Sequence, residues 1–391
     1  MSAALEGVRV LDLTRLLPGP YCSLMLADFG AEVIKIEQPG RGDYIRWDPP
    51  LNGDTGGAFL LLNRNKKSVT LNLKSPAGRE IFQKLAAGAD VVLEGFRPGV
   101  AERLGIDYGT LQKINPGLVY CSITGYGQDG PYADRAGHDI NYTGYAGALG
   151  LTGPAGGDPV PPGVQIADLG GGALTAAAGI LLALLARQRT GRGQYVDISM
   201  LDGVVSWLPI AAGHLFAGGD AQRRGETRLT GRYACYGVYR TADGAHLALG
   251  ALEEQFWAKI CRLFGREEFI RWQFAEERQA EMRALLEEQF AARTRAQWEE
   301  LLPGLDACLT PVLDLPEVFA DPQVRHRQMV LEMDHPRLGK IKQLGFPVKL
   351  SATPGQLRLP PPELGQHTRE ILGQLGYGTE EMDRLAESGA I

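Results

Sequence analysis

The stretch VRVLDLTRLLPGPYCSLMLADFGAEVIKIE, residues 8–37, decides the fold. Its first six residues, 8–13, form an apolar run that is typical of a buried strand. The segment 20–30 then predicts a helix that ends at Gly30, and 31–37 predicts a second strand. A strand, a helix and a strand in this order indicate a βαβ unit with parallel strands.

The same alternation continues along the chain. Strands are predicted at SVTLNL (68–73), DVVLEGF (90–96) and LVYCSIT (118–124), with helices at PAGREIFQKLAAG (76–88) and YGTLQKIN (108–115) between them. When strands alternate with helices, each helix crosses over one face of the sheet, so that the strands run parallel and the helices cover the sheet. The sequence therefore predicts an α/β fold with a doubly wound parallel sheet.

The pattern changes after a long apolar helix at 172–189. The segment YGVYRTADGAHLALG (236–250) alternates around an Asp-Gly turn, which predicts a β-hairpin. Charged amphipathic helices are expected near 253–264 and 278–293. We therefore expect a small α+β domain, and the predicted division is a large domain in 1–200, a linker in 201–224, the small domain in 225–315, and a return linker and C-terminal part in 316–391 that packs on the large domain.

Composition limits the classes of function. A chain of 391 residues is long enough for two domains, and its 44% apolar and 22% charged residues are ordinary for a soluble globular protein. The net charge of −6, without a basic stripe, argues against a nucleic-acid partner. No CxxC pair occurs among the cysteines, which favours free thiols in a reducing compartment over disulfides or a metal site; the cysteines are Cys22, Cys121, Cys235, Cys261 and Cys308.

Two further patterns suggest a cytoplasmic protein with no membrane partner. The start, MSAALEGVRVLDL, lacks the basic and then apolar layout of a signal peptide. The most apolar helix, ALTAAAGILLALLARQR, has about 15 residues before its arginines, which is shorter than a membrane span.

The motif GYGQDG (125–130) matches G-x-G-x-x-G and follows a predicted strand. The dinucleotide fingerprint requires these glycines to open an apolar helix whose N-terminus meets a pyrophosphate. Pro131 and a polar run follow instead, so we expect a tight surface loop. The chain also has no Walker A sequence, and dinucleotide binding and nucleotide hydrolysis are both disfavoured.

Three side chains could do proton or group-transfer chemistry. His138 lies in a loop after a strand, where an imidazole can exchange protons near neutral pH or simply hydrogen-bond a carbonyl. Asp168 could be a base, an acid, a nucleophile or only a helix N-cap. Glu253 opens a helix, where acidic residues are common. The glycine run 170–172 behind Asp168 could offer backbone N–H groups to an oxyanion; its members are Gly170, Gly171 and Gly172.

Positive charge also follows the predicted strands. Arg97 and Arg103 lie in GFRPGVAERLG, and the run RNKK occupies 64–67. Such cations are usually only solvated, but several near strand ends could hold a phosphate-bearing ligand.

Ordered motifs over nearly the whole chain resemble the family III CoA-transferases. They include PGPYCSLMLADFGAEVIKIEQPG, KKSVTLNLK, GFRPGV, GYGQDGPYADRAGHDINY, ADLGGG, RTGRGQYVDISMLDG, YRTADG, LEEQFW and DACLTPVL. The resemblance implies a Rossmann-like large domain and a small domain, in two chains that interlock as a homodimer. It also implies an acyl-CoA substrate, no separate cofactor and no metal. The CoA contacts implied are Leu71, Asn72, Leu73, Arg97, Arg103, Ala136, Gly137 and Asn141.

The match is closest to the alpha-methylacyl-CoA racemases within this family. The resemblance to the racemases implies that His138 and Asp168 are the two acid/base groups and that Glu253 orients or tunes the histidine. In the transferases the same aspartate is a nucleophile that passes through an anhydride and a CoA thioester. A histidine at 138 and LEEQFW at 252–257 fit the racemases, whereas Val164 replaces an asparagine that racemases carry, and Gln38 replaces an arginine for which Arg41 could substitute.

Three hypotheses follow. The first is a racemase or epimerase of 2-methylacyl-CoA thioesters that works by proton transfer at one carbon. The second is a CoA-transferase that moves CoA between carboxylic acids through Asp168. The third is a non-catalytic acyl-CoA-binding protein.

Overall fold

A computed structural model describes residues 3–391. The chain forms two units. The first contains the chain up to Ala146, Gly163–Trp207 and Pro322–Ile391, and the second contains Gly147–Pro162 and Leu208–Asp321. The second unit is therefore larger than the predicted 225–315 and takes an additional segment from the middle of the chain.

Within residues 3–391 the strands and helices are as follows. The strands are β1 Arg9–Asp12, β2 Glu32–Glu37, β3 Leu51–Asn52, β4 Thr55–Gly56, β5 Lys66–Thr70, β6 Val91–Glu94, β7 Val119–Thr124, β8 Tyr195–Ser199, β9 Tyr236–Arg240, β10 His246–Gly250, β11 Leu309–Pro311, β12 Val330–His335 and β13 Gly339–Leu344. The helices are α1 Pro18–Asp28, α2 Gly57–Leu62, α3 Pro76–Ala87, α4 Val100–Leu104, α5 Tyr108–Ile114, α6 Asp139–Tyr145, α7 Ala148–Leu151, α8 Thr175–Thr190, α9 Met200–Val205, α10 Pro209–Phe216, α11 Glu254–Leu263, α12 Gln279–Ala291, α13 Arg295–Leu305, α14 Leu315–Ala320, α15 Pro322–His326, α16 Thr368–Gln374 and α17 Thr379–Glu387. Short 3₁₀ turns lie at Tyr44–Arg46, Glu267–Trp272 and Glu276–Arg278, and a π-helical segment, Ile166–Leu174, precedes α8.

A six-stranded parallel sheet forms the centre of the first unit, in the order β5-β2-β1-β6-β7-β8. The chain winds outward from β1 through β2 to β5, then returns to β6 and winds the other way. This is the order of a doubly wound Rossmann-like sheet, with its switch point between β1 and β6. The five strands predicted from the sequence are confirmed, and β8 is a sixth that the pattern did not predict.

Apolar side chains fill one face of this sheet beneath α3 and α5. Val10, Leu11 and Val92 are fully buried, as expected for strands covered on both faces. Ile371 and Leu372 of α16 join the same cluster, together with Met382 of α17. The C-terminal part of the chain therefore packs on the large unit.

The segment Ile166–Thr190 forms one continuous helical run of 25 residues, long and apolar enough by length and composition to cross a membrane. The prediction that it is too short for a span is therefore wrong, because the π-helical turns lengthen it. Half of its most apolar window is buried, and α8 packs against β7 and β8 of the sheet. A covered core helix passes the same test of length and composition.

The second unit has a sheet of its own, in the order β11-β10-β9. The predicted hairpin is confirmed, since β9 and β10 pair antiparallel and Gly244 adopts a φ of +81° at the turn. Trp257 of α11 and Phe290 of α12 are buried against this sheet. The segment 201–224, predicted as a linker, holds most of α9 and all of α10, and the boundary between the two units falls within it, after Trp207.

Candidate active site

A cleft of about 560 Å³ opens at the switch point of the large unit. It is lined by residues at or just after the carboxyl ends of four strands: 13–16 and 18–19 after β1, 95–98 after β6, 123–126 at the end of β7 and the start of the next loop, and Met200 after β8. Ligands of open parallel sheets bind at this place, because the loops on either side of the switch point diverge and leave a crevice. His138 and Asp168 both line this cleft.

Fully buried charged groups hold the first of these loops. Lys35 pairs with Asp43 at 2.9 Å and donates to the carbonyl oxygen of Thr14 at 2.9 Å. Asp12 accepts from the Thr14 N–H at 2.9 Å, and its pKa is lowered by Lys35 and Lys66 against the opposing effect of burial. Every buried charge here has an opposite partner, which offsets the cost of removing it from water. The loop after β1 is therefore rigidly placed.

A cluster of tyrosines supports the loop that carries His138. The rings of Tyr126 and Tyr142 meet edge to face at 5.1 Å. The Tyr142 hydroxyl donates to the Gly137 carbonyl, and a Cβ at Gly137 or Gly125 would lie within 2.6 Å of the Tyr142 ring. The glycines of the GYGQDG and RAGHDINY segments thus let an aromatic ring pack against backbone, and GYGQDG forms the predicted loop.

His138 is exposed in the cleft and immediately precedes α6. The backbone N–H of His138 donates to the side-chain oxygen of Asn141 at 3.0 Å, which fixes the backbone at the start of the helix. Asn141 does not line the cleft itself. Its position therefore supports a structural role, in which its side chain holds the backbone of His138.

Asp168 is half-buried in the first turn of the π-helical segment. Gln165, not Asp168, is the N-cap residue, so the N-cap interpretation of this aspartate is wrong. Burial and the neighbouring Asp139 carboxylate raise the pKa of Asp168 to about 6, and His138 opposes this shift. Within residues 3–391 no donor hydrogen-bonds to the Asp168 carboxylate. It is therefore free to exchange a proton near neutral pH.

Asp139 is a positioning group that sequence reasoning missed. Its Oδ1 accepts from the backbone N–H of Ala167 at 2.7 Å and of Asp168 at 3.0 Å. These contacts satisfy N–H groups that a helix leaves free at its start. They also tie the His138 loop to the turn that carries Asp168. The only sequence signal was the neighbouring position of Asp139 in GHDINY.

The glycines 170–172 have a packing role in this structure. All three are buried and none lines the cleft. A Cβ at Gly170 would lie 1.7 Å from the Trp207 ring, and one at Gly171 would lie 2.6 Å from the Met200 carbonyl oxygen. Their placement gives no support to the predicted oxyanion role of Gly170, Gly171 and Gly172. They allow α9 to approach the π-helical segment closely.

A second, smaller compartment of about 130 Å³ lies beside the cleft and is lined by Leu71, Asn72 and Leu73, three of the predicted CoA contacts. Leu71 is buried in the core, and the Asn72 side chain donates to the Gly389 carbonyl at 3.2 Å, so both also have structural roles. Gln38 lines this compartment, whereas Arg41 does not.

Arg15 lines both compartments and was not predicted. Its guanidinium lies 5.0 Å from the Tyr44 ring centre and 5.9 Å from that of Phe96, which are cation–π distances. It also donates to the Tyr44 hydroxyl at 3.0 Å. The sequence signal was its place in TRLLPGP, the turn after the first strand.

The other predicted CoA contacts divide into two groups. Arg97, Ala136 and Gly137 line the larger compartment. Arg103 is exposed on α4 and lines neither compartment. The structure therefore brings together most of the predicted contacts of the large unit.

Glu253 belongs to the second unit, where it is exposed and is the N-cap residue of α11. That unit has a groove of about 1270 Å³ over the face of its sheet. Small residues of β9 and β10 form its floor, and Arg232 and Arg283 lie at its side.

The fold is that of an α/β protein with a cleft at the switch point of its parallel sheet. A sequence profile of CoA-transferase family III matches residues 5–368. Succinyl-CoA:glutarate CoA-transferase from Mus musculus is 41% identical over 396 residues, covering 99% of this chain and 90% of the mouse protein. Alpha-methylacyl-CoA racemase from Mus musculus is 38% identical over 390 residues, covering 98% of each. A crystal structure of a CAIB/BAIF family protein from Brucella suis has a TM-score of 0.84 at 34% identity, covering 96% of this chain and 100% of that one. The chain therefore belongs to CoA-transferase family III.

Enzymes of two kinds occur among the relatives of this chain. The mouse relatives just described are a CoA-transferase and a racemase, and both align along nearly the whole chain. The chain is therefore an enzyme of this superfamily, which disfavours the hypothesis of a non-catalytic binding protein. The specific reaction is not decided by identity, since 41% and 38% differ little.

Proposed function

We propose that this enzyme racemises or epimerises 2-methylacyl-CoA thioesters by proton transfer at C2. The observation that carries the proposal is that His138 and Asp168 line one cleft as electrostatic neighbours, with the pKa of Asp168 raised to about 6. A carboxyl group with this pKa can both take and return a proton near neutral pH, as general acid–base catalysis requires.

The reaction needs two groups on opposite faces of the α-carbon. One group removes the proton of C2, and the electron pair left behind is delocalised onto the thioester oxygen. The other group then returns a proton to the opposite face, which restores the thioester with inverted configuration. For the other enantiomer the two groups exchange roles. His138 and Asp168 are assigned these roles, and Glu253 is assigned the role of orienting the imidazole.

The CoA part of the substrate is assigned to the two compartments around Arg15. Arg97 and Arg135 line the larger compartment together with Arg15, so that cations surround it although the whole chain is acidic. Guanidinium groups suit phosphates because their N–H groups match pairs of phosphate oxygens. Leu71 and Leu73 supply apolar surface beside them. The proposal needs no cofactor other than the CoA of the substrate itself.

An interlocked homodimer in the cytoplasm completes the proposal. Large apolar side chains are exposed along α8 and at the C-terminal end of α9: Leu181, Leu182, Leu185, Val205 and Trp207 are 44–67% exposed. A run of exposed apolar surface of this kind is typical of a subunit interface. In such a dimer the interface would cover the apolar helix, so no membrane partner is proposed.

The test is α-proton exchange in D₂O with 2-methylacyl-CoA and no carboxylate acceptor. We expect deuterium at C2 by mass spectrometry with the wild-type enzyme and with Glu80→Gln, a surface control on α3. His138→Ala and Asp168→Ala should each lose most of the racemisation and should exchange the α-proton of one enantiomer at most. A folded, CoA-binding enzyme that exchanges no α-proton would contradict the proposal.

A second candidate is CoA transfer between carboxylic acids. It is favoured by the identity to the mouse transferase and by the absence, within residues 3–391, of any hydrogen bond to the Asp168 carboxylate. In this reaction a carboxylate oxygen of Asp168 would attack the thioester carbonyl, and the CoA thiolate would leave. The thiolate would then attack the Asp168 carbonyl of the anhydride, which releases the donor's carboxylate and leaves an aspartyl-CoA thioester. The acceptor carboxylate would attack this thioester, and the expelled thiolate would attack the acceptor carbonyl of the new anhydride, which gives the product thioester and frees the Asp168 carboxylate. Trapping of this intermediate by hydroxylamine would support transfer, and failure with a range of acyl-CoA donors would count against it.

A further inference from the structure

A buried carboxylate that the proposed reaction does not use lies directly beneath the cleft. Glu94 is the last residue of β6 and is 2% exposed. The next residues, 95–98, form the loop that brings Phe96 and Arg97 to the cleft. No Lys or Arg of the described chain forms an ion pair with Glu94. A buried carboxylate without a cation is costly, so its hydrogen bonds need an explanation.

Both oxygens of Glu94 are used as acceptors. Oε2 accepts from the backbone N–H of Phe96 at 2.5 Å, and Oε1 accepts from the Ser122 hydroxyl. The Ser122 oxygen in turn accepts from the Tyr195 hydroxyl at 2.9 Å. Glu94 and Ser122 are cross-strand partners in the sheet. A chain of hydrogen bonds thus runs from β8 through β7 to the loop after β6.

We propose that ionised Glu94 is a positioning residue that holds the 95–98 loop and thereby keeps Arg97 at the cleft. A hydrogen bond from an N–H to a charged carboxylate is about twice as strong as one to a neutral oxygen. Protonation of Glu94 weakens the contact with Phe96 and removes an acceptor from Ser122. The inference rests on the proposed function only in that Arg97 is taken to contact the CoA part of the substrate.

The groups around Glu94 make its charge sensitive to pH near neutrality. Burial and the Asp197 carboxylate raise its pKa to about 7, while Ser122 and the Phe96 N–H oppose this shift. The other titratable groups that face it are Tyr120, Cys121 and Tyr195, whose pKa values are themselves raised, so they stay neutral. The ionised form of Glu94 therefore dominates above pH 7 and is lost below it.

The first experiment measures CoA binding by calorimetry between pH 5.5 and 8. It uses Asp168→Asn as the background, which removes the titration of that carboxyl group. Adding Glu94→Gln should weaken binding roughly five-fold at pH 8, which corresponds to about 1 kcal/mol, and the difference should vanish toward pH 5.5. The phosphates of CoA titrate in the same range, but their effect cancels in the ratio of the two dissociation constants.

The second experiment does not depend on any ligand. Hydrogen exchange at the Phe96 amide should be roughly five-fold faster in Glu94→Gln than in wild type at pH 8, after correction for intrinsic rates. In Ser122→Ala the Phe96 amide should lose its protection from exchange at a higher pH than in wild type, because the Ser122 hydroxyl stabilises ionised Glu94. Glu80→Gln should change neither measurement.

The outcomes separate this inference from the proposed function. An unchanged Phe96 exchange rate in a folded Glu94→Gln variant would overturn the positioning role, as would a ratio of dissociation constants that is constant with pH in variants that bind CoA. Wild-type protein that binds no CoA at all, yet shows the expected exchange at Phe96, would refute the proposed function and leave the role of Glu94 supported.

Discussion

The Asp139 carboxylate accepts a hydrogen bond from the backbone N–H of Asp168 at 3.0 Å. This contact joins the start of α6 to the start of the π-helical segment, which are far apart in the sequence. It places a negative charge beside Asp168, and that charge helps to raise the Asp168 pKa to about 6. One side chain therefore both fixes the position of the proposed catalytic carboxylate and tunes its proton affinity.

Substitutions of the two proposed acid/base groups should affect exchange with different enantiomers of the substrate. His138→Gln and Asp168→Asn should each lower racemisation by about 10²–10⁴-fold. Each variant should retain α-proton exchange with one enantiomer only, because the remaining base reaches only one face of C2. Chiral chromatography with mass spectrometry measures both quantities. Equal loss of exchange with both enantiomers in both variants would contradict a two-base reaction.

The pH profile should follow Asp168. Since its pKa is raised to about 6, the base form dominates above pH 6 and disappears below it. Exchange with the enantiomer that Asp168 deprotonates should therefore fall as the pH drops through 6. Asp139→Asn removes a charge that raises this pKa, so the fall should move to lower pH, while the Asn oxygen can still accept from Ala167 and Asp168. A profile that stays in place would show that Asp139 does not tune the carboxylate.

The close approach of α9 to the π-helical segment should not tolerate a methyl group. A Cβ at Gly203 would lie 2.2 Å from the Gly171 carbonyl oxygen. Gly203→Ala should cost about 1–3 kcal/mol in the free energy of unfolding, because backbone must move, and it should lower activity by displacing Asp168. Gly373→Ala is the control, since a Cβ there meets nothing within 4 Å. Equal urea midpoints for the two variants would refute this.

Removing one partner of a buried ion pair beneath the cleft should lower the free energy of unfolding strongly. Lys35→Met leaves Asp43 buried without its partner and should cost about 3–5 kcal/mol. The double variant Lys35→Met/Asp43→Asn should recover part of this loss, because no uncompensated charge remains. Lys84→Met, which removes an exposed pair with Glu80, should leave the urea midpoint nearly unchanged. A Lys35→Met midpoint as high as that of Lys84→Met would contradict the stabilising role of the pair.

The predicted elements illustrate what local pattern can give. Strands such as 118–124 and the hairpin at 236–250 were predicted correctly, because apolar runs and alternation follow directly from burial on two faces or one. The sixth strand, β8, was missed since its half-exposed sequence has no apolar run. The π-helical turns before α8 were also missed, because a change of helical pitch depends on what the glycines pack against.

The sequence by itself determined the parallel sheet, the family and the identity of His138 and Asp168 as candidates, because these depend on periodicity and on ordered motifs. Only the tertiary structure decided that glycines 170–172 pack against α9 and the residues after it, that Asp139 holds the turn of Asp168, that Arg15 lines the cleft, and that Glu94 lies beneath it. Those facts depend on which loops meet at the switch point. The proton affinities of Asp168 and Glu94 likewise depend on burial and on neighbours distant in the sequence, which no local pattern encodes.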